Sequence, residues 1–151
     1  MKAKLKLHEV LTLDTELNGF VDVKTNEVKV EGLLNQKLDH NIKYRLKSSI
    51  KKIQEEKSII DETKNEIIQK YGESDQYGNV RLNMFLDEVD DKGQRKLNEN
   101  YLKYQEEFMS FLNSNEVEIE IYDLTTDDLK HVQTTDYYKI LDEYFIKEPT
   151  E

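Results

Sequence analysis

Residues 41–71 have the sequence NIKYRLKSSIKKIQEEKSIIDETKNEIIQKY, which contains neither Gly nor Pro. Apolar side chains recur at every seventh residue of this stretch, and further apolar residues widen the same stripe. The repeating positions are Leu46, Ile53, Ile60 and Ile67, widened by Ile42, Ile50, Ile68 and Tyr71. This spacing places one apolar face along a helix. It predicts a single amphipathic helix, about 46 Å long at 1.5 Å per residue.

A second helix is predicted at residues 95–112, where apolar residues step by four, three, four and three. They are Leu97, Tyr101, Tyr104, Phe108 and Phe111. Two helices with such stripes pack against each other as an antiparallel hairpin. We therefore expect the apolar stripe of residues 46–67 to lie against this aromatic stripe. Because the second helix is shorter, part of the first is free to face another chain, which leaves both a monomer and a homo-oligomer open.

Two strands are predicted at opposite ends of the chain. In residues 2–7 Lys alternates with Ala or Leu, and in residues 116–121 Glu alternates with Val or Ile. Alternation with a period of two is typical of half-buried strands. Side by side, these strands place Lys opposite Glu in solvent and aliphatic residues together in the core. We therefore expect them to pair.

Gly, Asn, Asp and Thr residues delimit the remaining predicted elements. Near the N-terminus these are a helix at residues 8–18 ended by Gly19 and a hairpin at 20–31 with its turn near Asn26. In the middle of the chain there is an irregular insert at 73–93, with a strand at 80–85 between turns at 76–79 and 90–93. The last elements are an N-cap pattern at 125–128 and a C-terminal helix at 135–147. Asp39 or Asn41 is expected to cap the long helix, and Gly72 to end it with a positive φ.

The length of 151 residues is that of one domain, so we expect residues 1–151 to form a single domain. The hydrophobic fraction is only 36%, a value also typical of disordered chains, but the periodicity of the apolar residues argues for a folded protein. The predicted fold is α+β and mainly helical: a long antiparallel helical hairpin with a small antiparallel β-sheet. No stretch resembles a signal peptide or approaches the roughly 18 apolar residues of a membrane span, so no membrane association is expected.

Charge is unevenly distributed along the chain, whose formal net charge is −10. Residues 37–72 carry nine Lys or Arg against six Asp or Glu, whereas residues 116–151 carry three against eleven. The predicted interaction residues are the basic Lys43, Lys47 and Lys51, which share one helical face, and the acidic Asp127, Asp128, Asp136 and Asp142. Ordinary solvation of charged faces accounts for both groups equally well. Acidic residues follow the lysines directly, so nucleic acid is not the expected partner.

The residue types of common catalytic and metal sites do not occur in the required spacing. The chain has no Cys, which excludes disulfides and thiolate metal sites. Its three His lie in separate segments, and its five Gly are scattered rather than grouped in a phosphate-binding loop. The acidic run at residues 87–91 lacks the alternating ligand spacing of an EF-hand. We therefore predict no catalytic residue, no metal site and no cofactor, and a protein that is not an enzyme.

Residues 32–79 and 108–124 resemble a group of small tailed-phage and prophage proteins without an assigned activity. That group shows a long charged helix closing in KYGE-D-x-x-GN and a later helix followed by LLN-x-EVEIE. The matching residues here are Lys37, Lys70, Tyr71, Gly72, Glu73, Asp75, Gly78, Asn79, Leu112, Asn113, Glu116, Val117, Glu118 and Ile119. The hairpin between Gly19 and Gly32 is a feature in which this chain departs from the shortest members of that group. The resemblance implies a phage or prophage origin and a location in the host cytoplasm or the virion.

These observations favour a non-catalytic accessory or structural phage protein that binds a phage or host protein. The surfaces expected to bind are the excess length of the long helix, the 73–93 insert and the acidic C-terminal helix. An alternative is a phage inhibitor of a host enzyme or defence system that uses its acidic surface as a nucleic-acid mimic.

Overall fold

A computed structural model describes residues 1–132 and 138–147. The chain forms two compact units, unit 1 (Met1–Lys57 and Glu116–Glu151) and unit 2 (Ser58–Asn115). The helices are α1 (Leu7–Asn18), α2 (His40–Ser49), α3 (Lys51–Tyr71), α4 (Glu99–Ser114) and α5 (Lys139–Tyr144). The strands are β1 (Lys2–Lys6), β2 (Phe20–Val21), β3 (Val28–Val30), β4 (Glu73–Ser74), β5 (Val80–Arg81), β6 (Phe85–Val89), β7 (Arg95–Leu97), β8 (Glu116–Glu120), β9 (Leu124–Thr125) and β10 (Ile146–Lys147).

Strands β1 and β8 pair in antiparallel fashion, as their alternating sequences predict. Lys2, Lys4 and Lys6 lie opposite Glu120, Glu118 and Glu116, in that order. On the other face, Leu5 lies opposite Val117. The charged residues are exposed and the Leu5 side chain is fully buried, so the register places charge in solvent and aliphatic surface in the core.

The core of unit 1 is built from β1, α1, α2, the start of α3, β8 and the C-terminal segment. Its side chains form one hydrophobic cluster. The fully buried members are Leu5, Val10, Leu13, Leu17, Leu33, Leu46, Ile53, Ile119, Ile121, Leu124, Tyr138, Leu141 and Phe145. Strand β1 near the N-terminus and strand β8 in the last third of the chain both supply side chains to this core. Unit 1 is therefore held together by segments that are far apart in sequence.

Helix α1 and the following hairpin confirm their predictions. The helix ends at Asn18, and Gly19 follows with φ of +83°. Strands β2 and β3 pair in antiparallel fashion, and Asn26 in the turn has φ of +57°, a conformation that Asn tolerates better than most residues. A 3-10 turn at Leu33–Asn35 then leads to α2, which Asp39 caps by accepting a hydrogen bond from the Asn41 amide at 2.9 Å.

The single helix predicted at residues 41–71 is wrong in one respect, because the structure divides it at Ile50 into α2 and α3. The Ser48 and Ser49 hydroxyls both donate hydrogen bonds to the carbonyl oxygen of Arg45, at 2.9 and 2.8 Å. Such back-bonding competes with the helical amide bond to the same carbonyl and bends helices. The apolar pattern survives the break, since the four heptad positions remain buried.

The partners of that apolar stripe differ from the prediction. Leu46 and Ile53 belong to the core of unit 1, whereas Ile60 and Ile67 are buried in unit 2. Leu97 was expected in the facing stripe, but it lies in β7 with 47% of its surface exposed. One continuous seam from Leu46 to Ile67 against the aromatic stripe is therefore wrong.

The 73–93 insert, predicted to be irregular, belongs to two consecutive hairpins, β4–β5 and β6–β7. The predicted strand at 80–85 is split between β5 and β6, and the helix predicted at 95–112 starts late, because 95–97 form β7 and Asn98 caps α4. The expectation for Gly72 is also wrong, since its φ is not positive. Instead, a methyl group there would lie 2.5 Å from Val80 Cγ1, so the glycine makes room for β5.

The C-terminal helix predicted at 135–147 is shorter in the structure. Within the described residues it covers only α5, and Ile146–Lys147 form β10, which pairs in parallel with β9. The N-cap pattern at 125–128 starts a series of turns rather than a helix. Residues 133–137, which include Thr135 at the start of the predicted helix, lie outside the described part of the chain.

The fold is α+β with small, mostly antiparallel two-stranded sheets. Of the described helices, none combines the length and apolar character needed to cross a membrane. That residues 1–151 form a single domain stays a prediction, which the unfolding of the two units can test.

Candidate interaction surfaces

The three predicted basic residues lie along α2 and the first residue of α3. Lys47 and Lys51 are exposed and Lys43 is half-buried. Within residues 1–132 and 138–147, none of their ammonium groups lies within ion-pair distance of a carboxylate. The exposed ring of Tyr44 stands beside them. The row is therefore a basic surface whose charge is not neutralised by the described residues.

Lys51 also lines a cleft of about 780 Å³ in unit 1, at the point where α2 and α3 meet. Cationic side chains line the cleft, and one of them, Arg45, donates a hydrogen bond to the Tyr122 hydroxyl at 3.1 Å with its guanidinium 5.1 Å from the Tyr122 ring centroid. The carboxylates of Glu55, Glu120 and Asp123 line the same cleft. The lining residues are Met1, Arg45, Ser48, Ser49, Lys51, Lys52, Glu55, Glu120, Ile121, Tyr122 and Asp123. Both signs of charge face this open cleft, which suits a polar surface better than a simple anion.

The predicted acidic residues have different environments. Asp127 on a turn and Asp142 on α5 are exposed. Asp128 has a structural role, because its Oδ2 accepts a hydrogen bond from the Thr125 amide at 3.0 Å while its own amide donates to Thr125 Oγ1. Asp136 lies outside the described residues. Among the described members of the predicted set, Asp127 and Asp142 are thus the carboxylates that face solvent.

Unit 2 exposes more large apolar side chains than it buries. Every residue of this unit is described, and only Ile60, Ile67, Tyr104 and Leu112 are buried apolar residues. All five residues of β6 are exposed. The exposed apolar residues of unit 2 are Ile59, Tyr77, Met84, Phe85, Leu86, Val89, Leu97, Leu102 and Met109. We call Met84, Phe85, Leu86, Val89 and Leu97, which group at the second hairpin, the hairpin patch.

The charged side chains on the two strands of this hairpin pair with each other, whereas Asp91 and Lys92 in its turn form no ion pair with any described residue. Arg95 bonds Asp87 at 3.0 Å, and Lys96 lies 3.8 Å from Glu88. Asp90 holds the turn, since its Oδ1 accepts hydrogen bonds from the Lys92 and Gln94 amides, both at 2.9 Å. The strands therefore expose apolar side chains beside charges that are already paired.

The turns of the two hairpins of unit 2 have the same pattern of hydrogen bonds. In the first, Asp75 Oδ1 accepts hydrogen bonds from the amides of Tyr77 and Asn79, at 2.8 and 2.9 Å. Gly78 and Gly93 occupy equivalent positions with φ of +82° and +77°. The common signal is Asp-x-x-Gly-Asn or Asp-x-x-Gly-Gln at residues 75–79 and 90–94, a short internal repeat that the sequence reading missed.

A buried polar network in unit 1 was also missed. Glu16 has 2% of its surface exposed, and its carboxylate accepts hydrogen bonds from the Ile140 amide at 2.9 and 3.1 Å. Burial raises the pKa of Glu16 to about 7, although these amide bonds oppose that rise. Nearby, the Tyr138 hydroxyl donates to the Glu31 carbonyl at 2.6 Å and accepts from Gln36 Nε2. The available signal was Glu16 lying beside Leu13 and Leu17 on the apolar face of α1.

A second apolar surface that the sequence reading missed is the β2–β3 hairpin of unit 1. Phe20, Val21 and Val28 are exposed on its strands, and Val23 in its turn is 90% exposed.

Among the described residues, no three His, Asp or Glu side chains come together in a way that could hold a metal ion.

Comparison with known proteins does not assign a family to the chain. No protein-family model, no curated protein and no solved structure matches it.

Proposed function

We propose that this chain is a non-catalytic accessory or structural protein of a phage or prophage, and that it works by binding another protein through unit 2. The observation that carries the proposal is the excess of exposed over buried large apolar side chains in that unit. Exposed apolar groups of this kind mark interaction sites in soluble proteins. The resemblance of residues 32–79 and 108–124 to phage proteins supports the origin and a location in the host cytoplasm or the virion.

The hairpin patch supports the choice of unit 2 for physical reasons. A two-stranded hairpin is only marginally stable alone in water, and it gains stability when a face or an edge is covered. The hairpin β6–β7 forms no third strand with the described residues. The charges on its strands pair internally, so a partner that covers an apolar face of the strands would not have to desolvate an unpaired strand charge.

We further infer that α3 and α4 form an antiparallel helical hairpin within unit 2. Lys70 near the end of α3 donates hydrogen bonds to both carboxylate oxygens of Glu107 on α4, at 3.1 and 3.3 Å. The hydrogen bond from Lys70 lowers the pKa of the Glu107 carboxyl. Ile60 and Ile67 on α3 and Tyr104 on α4 are buried, and such a pair of helices would bury them against each other.

Site-specific photo-cross-linking in the cell that produces the phage tests the proposed binding surface. A photoreactive phenylalanine analogue at Phe85 or Val89 is expected to give a discrete adduct with one protein. The matched control carries the same analogue at Glu62, an exposed residue on α3 of the same unit, remote in sequence from the patch. The proposal fails if Phe85 and Val89 give no adduct, or if Glu62 gives the same one. Immunoblotting of purified particles then separates a virion component from a cytoplasmic accessory protein.

A second candidate function is the inhibition of a host enzyme or defence system through an acidic surface. It is favoured by Asp127 and Asp142, which are exposed and form no ion pair with any described residue. Binding by this route would weaken steeply with added salt and would be lost in the Asp127→Asn, Asp142→Asn variant. Binding through the hairpin patch would survive both changes.

A further inference from the structure

Helix α1 holds the C-terminal segment through two glutamates. Glu9 and Glu16 are seven residues apart and therefore lie on the same side of α1. Glu9 Oε2 accepts a hydrogen bond from the Tyr144 hydroxyl at 3.1 Å, and Glu16 accepts from the Ile140 and Leu141 amides. Both contacts join residues more than 120 positions apart in the chain. They fix the two ends of α5 on α1.

The two glutamates differ in their access to water. Glu9 is half-buried, whereas Glu16 is almost completely buried and forms no ion pair with any described residue. The charged and titratable groups that face Glu16 are Lys139 on α5, the Tyr138 hydroxyl and, on the far side of that hydroxyl, Glu31. Lysine and phenol side chains keep their charge state between pH 5 and 8. Glu16 is therefore placed to change its charge in that range.

We propose that Glu16 makes the docking of residues 138–147 on α1 dependent on pH, so that the segment is held more firmly at pH 5 than at pH 8. Detachment of this segment would uncover Leu141 and Phe145, both fully buried, and would release β10 from β9. The inference goes beyond the proposed function and does not depend on it.

The direction of the effect follows from the proton affinities of the two states. In the docked state the pKa of Glu16 is about 7, and on detachment the carboxyl becomes solvated and its pKa returns toward 4.5. Between these values the docked state binds more protons, so rising pH favours detachment. The stabilisation is complete below pH 4.5 and is lost as the pH rises through 7. The difference allows a change in the opening equilibrium of up to about 300-fold.

Amide hydrogen exchange on the full chain tests the proposal. Protection factors of the amides of α5, corrected for intrinsic exchange at each pH, are expected to fall by about two orders of magnitude from pH 5 to pH 8. Amides of α4 in unit 2 serve as the internal reference. Protection of α5 that stays constant over this range, relative to α4, would overturn the proposal.

Two variants separate Glu16 from its neighbour. Glu16→Gln keeps the shape without a titratable group, so the protection of α5 should become independent of pH. Glu9→Gln on the same face should retain the pH dependence of the parent protein. Retention of that dependence in Glu16→Gln would contradict the proposal. If this variant does not fold, an NMR titration of the parent protein decides. The chemical shift of the Glu16 carboxyl carbon is followed against pH: a midpoint near pH 7 supports the proposal, and a midpoint near pH 4.5 refutes it.

Discussion

At the scale of single residues, close backbone approach constrains this chain most strongly at Gly19 and Gly32. The two glycines bring the end of α1 against the end of the β2–β3 hairpin. A methyl group at Gly32 would clash with the Gly19 amide nitrogen and would lie 2.5 Å from the Leu17 carbonyl oxygen. Backbone atoms of a helix cannot move aside as a flexible side chain can. Gly32 is therefore required for its lack of volume.

Gly32→Ala is expected to destabilise unit 1 by about 3 kcal/mol, because overpacking against rigid backbone forces α1 and the hairpin apart. Gly93→Ala is the matched control: that glycine has φ of +77° and open space around it, so only the backbone strain of about 1 kcal/mol applies. Urea denaturation monitored by circular dichroism measures both. A smaller loss of stability in Gly32→Ala than in Gly93→Ala would show that the close approach relaxes at little cost.

At the scale of elements, side chains decide where one helix becomes two. Ser48 and Ser49 both donate to the Arg45 carbonyl, and the Ile50 amide reaches only the Lys47 carbonyl, at 3.4 Å. The i to i−3 bond at Ile50 is the tightening that ends α2. The break is thus a consequence of two adjacent hydroxyls rather than of Gly or Pro.

Replacing both serines by alanine is expected to join α2 and α3 into one continuous helix. The alanines remove the competing hydroxyls and favour the helix by up to about 0.5 kcal/mol each. Hydrogen exchange at residues 50–53 should slow in the double variant. Ser58→Ala gains the same propensity inside α3 without removing a side-chain bond, and it should leave those amides unchanged. Equal exchange in all three proteins would mean that the serines do not cause the break.

The pairing of β1 with β8 depends on complementary charge as well as on aliphatic burial. Lys4 lies directly opposite Glu118. Lys4→Glu should destabilise the pair by about 0.2–1 kcal/mol through repulsion, and Glu118→Lys added to it should restore the loss. A double-mutant cycle at low and high salt measures the coupling. No recovery in the double variant would show that the strand order depends on the aliphatic face alone.

At the scale of the whole molecule, α3 belongs to both units, since Lys51–Lys57 lie in unit 1 and the rest in unit 2. Helix formation is cooperative along the chain. Cooperative unfolding of α3 would link the unfolding of one unit to that of the other. The single domain predicted from the length of the chain therefore stays a prediction that unfolding measurements can test.

Ile53 and Ile60, seven residues apart on α3, test that coupling. Both are buried, Ile53 in unit 1 and Ile60 in unit 2. Either substitution by alanine should cost about 2–5 kcal/mol and shift one common unfolding transition. Hydrogen exchange read separately for β1–β8 and α4 is the measurement. A variant Ile60→Ala that lowers the protection of α4 and leaves β1–β8 unchanged would show two domains.

The sequence alone determined the elements whose signal is local. The heptad of residues 46–67 predicted which helix face is buried, though not the break at Ile50. The alternation of Lys with Ala or Leu and of Glu with Val or Ile predicted strands β1 and β8, and Gly19 marked the end of α1. Even the pairing of strands more than 100 residues apart was predictable, because opposite charges face each other in solvent and the aliphatic faces match. The register itself came from the structure. The Asp-x-x-Gly turns were visible as turns at 76–79 and 90–93, though not as a repeat.

Only the tertiary structure decided which neighbours those elements contact. A heptad shows that one helix face is apolar, but it does not show what covers that face. Leu46 is buried in the same cluster as residues of β1 and β8, whereas Ile67 is buried in unit 2. These neighbours depend on how distant parts of the chain pack. The exposure of the hairpin patch and the burial of Glu16 against α5 are decided in the same way. Both depend on where distant segments come to rest, and a residue's solvation is set by those segments rather than by its sequence neighbours.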